Sequence, residues 1–337
     1  MKKQNVIVLG ATGGVGAYTS LYLKEKGYNV IAVGKRKSDN GFFNGQNIKY
    51  VSVDITKVED FEKLPQTNIF GIIQLAGFLP ANMLGYNPQV YIDTNITGTL
   101  NVLQYAIKVK AKRYVYTTSF SDLSYLWGTD KSIKADSIVK FPINNDHSIY
   151  SITKNTGADL VRHFSKKHSF NHYILRFPNI YLYHPNTIYY VNGKKQRKGL
   201  FNVIDQAKKS EDIELWGSPT KVRDMVYIKD CIQIIEKCFS SSSKGGVFNV
   251  GTGVGISRKE QVNGIIKAFS PKEKPSKIID RNDMPDSPQY IMDITKTIKE
   301  LGYTPIYSYL KSLMDMKVEI ELNRFEKLWG KKSDYSM

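Results

Sequence analysis

The chain has 337 residues, 41% of them apolar, enough to bury a full core in one large or two modest domains without help from disulfides or metals. Its 48 basic against 31 acidic side chains give a formal charge of +17, which a lysine-rich solvated surface explains and which also favours anionic small substrates through long-range steering. The composition argues against nucleic acid, since aromatic and basic residues are not interleaved, and against a membrane span, since no apolar run approaches roughly 18 residues.

The opening "NVIVLG" predicts a buried strand, because glycines break the apolar run too early for a signal peptide, and the protein is read as cytoplasmic. A helix is expected from about Val15 to Lys26, then the strands "YNVIAVG" and "IKYVSVD" and a short helix near Val58 to Leu64. "IFGIIQLAG" follows, then a helix near Val90 to Val109, "KRYVYTTS", a helix from Ser148 to His168, and "HYILRF". Nearly continuous apolar strands separated by helices predict a doubly wound α/β domain, a Rossmann-like parallel sheet covered on both faces.

After Phe177 the rhythm stops, and "PNIYLYHPNTIYYVNG" predicts irregular chain. A helix near Leu200 to Lys208, a short "DIELWG", a returning buried strand "GGVFNVGTG" and a helix from Ser257 to Ala268 complete the pattern. The expected division is a sheet domain of 1–178 and 223–265 and a smaller, irregular α+β substrate lobe of 179–222 and 266–337. "NGKKQRKG" (192–199) is expected as an exposed loop, and the final "GKKSDYSM" as a frayed tail. Cys231 and Cys238, seven apart on one apparent helix, form neither a thiol pair nor a zinc pattern, and no metal site is expected.

Gly10, Gly13 and Gly16 form G-x-x-G-x-x-G between the first strand and the first helix. A dinucleotide pyrophosphate needs this arrangement: backbone without Cβ atoms, beside the free N–H groups of a helix N-terminus. A tight structural turn is the alternative. Where NAD-binding chains usually place a ribose-binding acid, this one has Gly34 followed by Lys35, Arg36 and Lys37. A cationic fork suits a 2′-phosphate, so NADP(H) is expected, with NAD(H) possible. Asp54 is a candidate for the adenine edge or a strand-end cap.

Tyr150 and Lys154 lie four apart at the start of a helix, hence on one face. A phenol with a pKa near 10 is a poor proton shuttle at neutral pH, and an ammonium held beside it would lower that value and make it a general acid or base. Ser119, with Thr118 before it, ends the fifth strand, where open α/β folds bind ligands. Its hydroxyl could donate to the substrate oxygen that Tyr150 serves.

With these motifs the sequence resembles the extended short-chain dehydrogenase/reductases, in particular the NAD-dependent epimerase/dehydratase group acting on nucleotide sugars. The glycine motif, "IIQLAG", "TNITGTLNVL", "YVYTTS", "YSITK", "LRFPNIY", "KVRDMVYIKD", "VFNVGTG" and "MDITKTIKELGYTP" carry the resemblance over nearly the whole chain. It implies Ser119, Tyr150 and Lys154 as catalytic, with hydride transfer at a sugar carbon. It implies cofactor contacts from Gly10, Thr12, Gly13, Gly14, Val15 and Gly16 of the glycine loop and from Lys35, Arg36, Asp54 and Ile55. Further contacts are implied from Leu75, Ala76, Gly77, Asn95, Thr117, Thr118, Tyr150, Lys154 and Phe177. Substrate contacts are implied at Ser119, Phe120 and Asn179, with Arg223 clamping a nucleotide diphosphate and Arg281 and Tyr290 on a closing segment. A homodimer packing the helices near Val90 to Val109 and Ser148 to His168 is a family expectation.

The departures narrow the reaction. The sugar 4,6-dehydratases place an acid one or two residues after the catalytic hydroxyl, whereas here Phe120 and Ser121 stand there and Asp122 comes one step late. Dehydration is thereby disfavoured, leaving epimerisation or keto-reduction. A long insertion follows Ser119, in which Phe120, Tyr125 and Trp127 either shape a pocket or anchor the loop. His147 reads as a cap or surface residue or a substrate contact, and His184 as a nucleotide contact or none. Two other readings stay open: an NADPH-dependent reductase of a small uncharged ketone or aldehyde, and a non-catalytic cofactor sensor.

Overall fold

The structure, a computed structural model, describes residues 4–82, 84–191 and 193–335; Asn192 of the expected basic loop and the last two residues of the expected tail lie outside them. In chain order the first part contains β1 (Asn5–Leu9), α1 (Gly14–Glu25), β2 (Asn29–Gly34), the single turn α2 (Phe42–Gly45), β3 (Lys49–Ser52) and β4 (Ile69–Gln74). It continues through α3 (Pro88–Tyr91), α4 (Gly98–Lys108), β5 (Arg113–Ser119), α5 (Ser148–His168) and β6 (Asn171–Phe177). There follow β7 (Ile180–Tyr181), β8 (Ile188–Val191), β9 (Lys194–Arg197), α6 (Gly199–Lys208), β10 (Ile213–Trp216), β11 (Val222–Asp224) and β12 (Val226–Tyr227). The chain then forms α7 (Ile228–Ser240), β13 (Gly246–Asn249), β14 (Gly255–Ser257), α8 (Arg258–Phe269), β15 (Ile278–Arg281), α9 (Thr295–Leu301), α10 (Tyr309–Leu322) and α11 (Glu326–Trp329).

Seven strands make one parallel sheet in the order β13-β6-β5-β4-β1-β2-β3. The order reverses between β1 and β4, so a crevice opens at their carboxyl ends, where such sheets bind ligands. Alternate side chains of each strand feed two cores. Val6 and Val8 of β1 join one with Cys231 and Ile235 of α7; Ile7 and Leu9 join the other with Val102 and Ala106 of α4 and Val161 of α5. Both cysteines are fully buried free thiols of α7.

Several local expectations change. The turn near Val58 is 3-10 (Val58–Lys63), and the helix near Val90 to Val109 is α3 and α4 joined by a π-helical segment, Ile92–Thr97. The tyrosine-rich stretch expected to be irregular contains the antiparallel hairpin β8–β9, and β9 takes up Lys194–Arg197 of the basic stretch expected as a loop. In the expected tail, residues 330–335 pack instead of fraying, because the Tyr335 hydroxyl donates to the Trp329 carbonyl at 2.5 Å and Lys332 pairs with Asp205 at 2.9 Å. Among the described residues no helix is long and apolar enough to cross a membrane.

Candidate active site

The glycine loop joins β1 to α1 at the crevice. Gly10 has φ +86°, and its N–H donates to the Val33 carbonyl at 2.8 Å, binding the turn to β2. A Cβ on Gly10 would stand 2.7 Å from the amide nitrogen of Ala76, and one on Gly16 would overlap the Gly10 carbonyl oxygen. The loop must therefore be glycine to bring β1, β4 and α1 this close. Gly13 is the N-cap of α1, and no acidic residue occupies the first turn. The amides of Gly14, Val15 and Gly16 thus stand at a positive helix end without intrahelical acceptors. That arrangement fits the pyrophosphate of a dinucleotide. Leu75 and Ala76 both donate backbone N–H bonds to the Leu9 carbonyl, and Gly77 next to them faces Asn95 and Lys154.

At the end of β2, Gly34 packs on the Thr12 side chain. Lys35 pairs with Asp54 at 2.9 Å. Arg36 donates from Nη1 to the Leu328 carbonyl at 2.9 Å. Asp54 also accepts from the amide and hydroxyl of Thr56; burial alone would raise its pKa, but Lys35 and Thr56 hold it below the usual value. These bonds are those of a strand-end cap, one of the two readings of Asp54. Ile55 lies buried in the core, against the position a Gly98 side chain would take.

The candidate proton-handling residues converge over β5. Ser119 closes that strand opposite Phe177 of β6, and its Oγ accepts from the Ser121 hydroxyl at 3.0 Å. Tyr150 stands one turn into α5, its ring 6.5 Å from that of Tyr91. Burial raises its pKa, the charge of Asp122 raises it further, and a hydrogen bond with Ser119 draws it back. Lys154 is 5% exposed, its ammonium over the Tyr116 ring at 4.1 Å, and burial brings it down to about 7. Here the structure corrects the sequence reading. Lys154 is not among the groups that shift Tyr150, and the phenol is raised, because both groups are taken out of water. Asn95 lies in the π segment: its side chain accepts from the Phe78 amide at 2.9 Å and donates to Thr153 Oγ1 of α5 at 3.1 Å, which fixes α5 against the crevice. Thr117 and Thr118 are buried, and Thr118 Oγ1 has no hydrogen-bond partner.

Beyond Ser119 lies an aromatic wall. Phe120 packs 4.7 Å from Trp127 and 4.6 Å from Tyr290, whose hydroxyl accepts from Asn179 Nδ2 at 3.3 Å. Tyr290 bridges Arg223 through the backbone, and Arg223 Nε donates to the Pro288 carbonyl at 2.9 Å. Phe120, Asn179, Arg223 and Tyr290 therefore come together. Arg281 is engaged elsewhere, by Glu214 and Asp283, each at 2.8 Å. Asp122 is spent on Arg176, at 3.1 Å in a fully buried ion pair; burial pushes its carboxyl up to about 6 although Arg176 opposes this. His147 is the exposed N-cap of α5, without a side-chain cap bond. His184 is half-buried against Trp329, accepts from the Asn186 amide, and is held down to about 3 by desolvation and the nearby cations Lys198 and Arg36.

The model of the NAD dependent epimerase/dehydratase family matches residues 6–251. The chain belongs to this family. It is 26% identical over 319 residues to the UDP-glucose 4-epimerase of Dictyostelium discoideum, covering 88% of this chain and 90% of that one. Its fold matches the Thermotoga maritima UDP-glucose 4-epimerase solved with UDP-glucose, at TM-score 0.71 and 22% identity over 94% of this chain and 97% of that one. The UDP-glucuronic acid 4-epimerase of Bacillus cereus, solved with NAD, matches with the same TM-score, identity and coverage.

One residue of this family member escaped the sequence reading. Arg258 opens α8 directly after β14, two positions beyond Ile256, which pairs with Arg223 across the β11–β14 ladder, and the Arg223 charge acts on it. Its Nε is buried without a partner. Among the described residues neither arginine has an acidic partner, and burial and the charge of Arg223 both lower the Arg258 pKa. The only sequence signal is a lone arginine in "GISRKE", which becomes meaningful once the strand pairing is known. Trp127 Nε1 is likewise buried without a partner.

Proposed function

We propose that the protein is an NAD(H)-dependent epimerase acting at C4 of a nucleoside-diphosphate sugar. The observation that carries this reading is the placement of unneutralised polar groups around one crevice. Thr118 precedes Ser119 on β5, Trp127 packs on Phe120, and Arg258 lies within the field of Arg223; each has an orphaned polar atom, and a buried polar group without a partner costs about 1–3 kcal/mol until a ligand satisfies it. Two guanidiniums without carboxylates repel unless an anion comes between them, and a diphosphate has the charge and bidentate geometry to do so. Asn179 and Tyr290 stand beside them for the phosphate or sugar oxygens.

In this reading the nicotinamide, when bound, supplies the carbon that takes and returns a hydride. Tyr150 Oη removes the C4 hydroxyl proton and later gives it back, and Ser119 donates a hydrogen bond to the same oxygen. Lys154, protonated as the anionic cofactor enters, would hold the nicotinamide ribose and offset the charge of the Tyr150 phenolate as it forms. Trp127, half-buried and packed on Phe120, would offer the apolar surface on which the sugar turns its other face before the hydride returns, as inversion requires. NAD(H) replaces the earlier expectation of NADP(H), since Lys35 and Arg36 have protein partners; the relative solved with NAD is in keeping with this.

The test incubates the purified protein with UDP-glucose, UDP-glucuronic acid and UDP-N-acetylglucosamine and follows the C4 epimers by proton NMR. Epimer formation without net NADH oxidation is expected for at least one of them. Stoichiometric NADPH consumption with a keto-sugar would establish a reductase instead.

A further inference from the structure

The last α-helix, α11, lies against the glycine loop and the loop after β2. Its Trp329 indole N–H donates to the Thr12 carbonyl of the glycine loop at 2.9 Å. Its terminal carbonyls receive side chains from the loop after β2: Leu328 from Arg36 at 2.9 Å and Lys327 from Asn40 at 3.1 Å. The helix is not a loose tail. Phe325, Leu328 and Trp329 are at most 3% exposed, and Phe325 packs 4.6 Å from Tyr18 of α1 and 4.3 Å from Trp329. The backbone of the partner loop is fixed as well, since the Tyr50 hydroxyl donates to the Arg36 carbonyl at 2.6 Å.

The last carbonyls of a helix have no intrahelical donors and need outside partners, often cationic ones. Arg36 fills that need for α11. The same guanidinium stands three residues beyond Val33, in the stretch where a 2′-phosphate would be read, and it cannot serve both acceptors in one geometry. We propose that α11 is a cofactor selector: by occupying Arg36 as its C-terminal cap, it lowers affinity for a dinucleotide carrying a 2′-phosphate. The inference rests on the dinucleotide reading above and adds to it the element that decides between the two cofactors.

Binding titrations of NADH and NADPH, followed by nicotinamide fluorescence and calorimetry, test it without reference to turnover. The intact chain is expected to bind NADH more tightly. Arg36→Ala in the intact chain should leave NADPH affinity within about twofold, because the side chain is already engaged; a loss of about tenfold for NADPH alone would show that Arg36 reads the phosphate and would overturn the proposal. A chain ended at Phe325 should gain about tenfold for NADPH, the size of one charge-assisted hydrogen bond, and the added Arg36→Ala should cancel that gain. An unchanged NADH-to-NADPH ratio in a shortened chain that circular dichroism shows to be folded also overturns it. Should the shortened chain not fold, the Arg36→Ala titration decides alone. Failure of the intact chain to bind either dinucleotide sinks the cofactor reading itself, an outcome distinct from a failed selector.

Discussion

The Lys154 ammonium sits 4.1 Å above the ring of Tyr116, with no carboxylate partner among the described residues. A cation–π contact offsets only part of the hydration that burial removes, so the ammonium loses ground to the neutral amine. The lysine is kept in a site that disfavours its charge until something anionic arrives.

A pH dependence follows. The Lys154 pKa falls from 10.5 to about 7 on folding. Between those values the unfolded chain holds a proton that the native protein has released. Stability of the dinucleotide-free protein should therefore rise with pH across that window, by up to about 1.4 kcal/mol per unit from this group, and flatten below pH 7. Urea midpoints at pH 7, 8 and 9 measure it. Lys154→Met should remove this part of the slope, and an identical slope in both proteins would count against the buried neutral amine.

Tyr150→Phe removes one hydroxyl next to Ser119. Turnover should fall about 10²–10⁴-fold, the usual worth of a positioned acid–base group. NADH affinity should stay nearly constant. A variant retaining a tenth or more of the wild-type rate would assign the proton to another group.

Arg223 of β11 and Arg258 at the start of α8 act on each other, with no acidic ion-pair partner for either among the described residues. Replacing either by Ala should weaken UDP binding by about 1.5–3 kcal/mol, the range for hydrogen bonds to a charged group. Arg258→Ala should also leave the free protein no less stable, because it relieves repulsion and an orphaned Nε. Calorimetry with UDP at low and high salt reads the first effect and thermal melts the second. Unchanged UDP affinity in the Arg258 variant would exclude it from the phosphate site.

Asp122 and Arg176 form the buried ion pair, and Arg176 also donates to the Ala135 carbonyl at 3.0 Å, holding the insertion after Ser119 against the sheet. Asp122→Ala leaves a buried guanidinium without its counter-charge and should cost about 3–5 kcal/mol. Replacing the pair together by Leu and Met should cost much less. Denaturant curves on the two variants and the unaltered protein check the contrast, and equal losses would place the energy in packing.

Much of the scaffold could be read locally. α5 begins and ends where the sequence places it, since its 3.6-residue pattern and the turn at Ser169, with φ +56°, are written within 22 residues. The π segment was hidden because "IDTNITGTL" keeps helical periodicity; only the clasp of Asn95 on Phe78 and Thr153 reveals the extra residue in the turn. The hairpin β8–β9 was hidden for the opposite reason, its half-buried tyrosines and exposed lysines giving no clean alternation.

The sequence by itself determined the parts whose causes are near neighbours along the chain: the glycine turn between β1 and α1, the parallel sheet, and Tyr150 and Lys154 on one helical face. Only the tertiary structure decided what those groups feel. Arg36 meets a carbonyl 292 positions away, Trp329 closes on Thr12 across 317, and Arg258 joins Arg223 through a strand pair. Such contacts arise when the whole chain is packed at once, and the fields that set charge act through space, so no local pattern of residues records them.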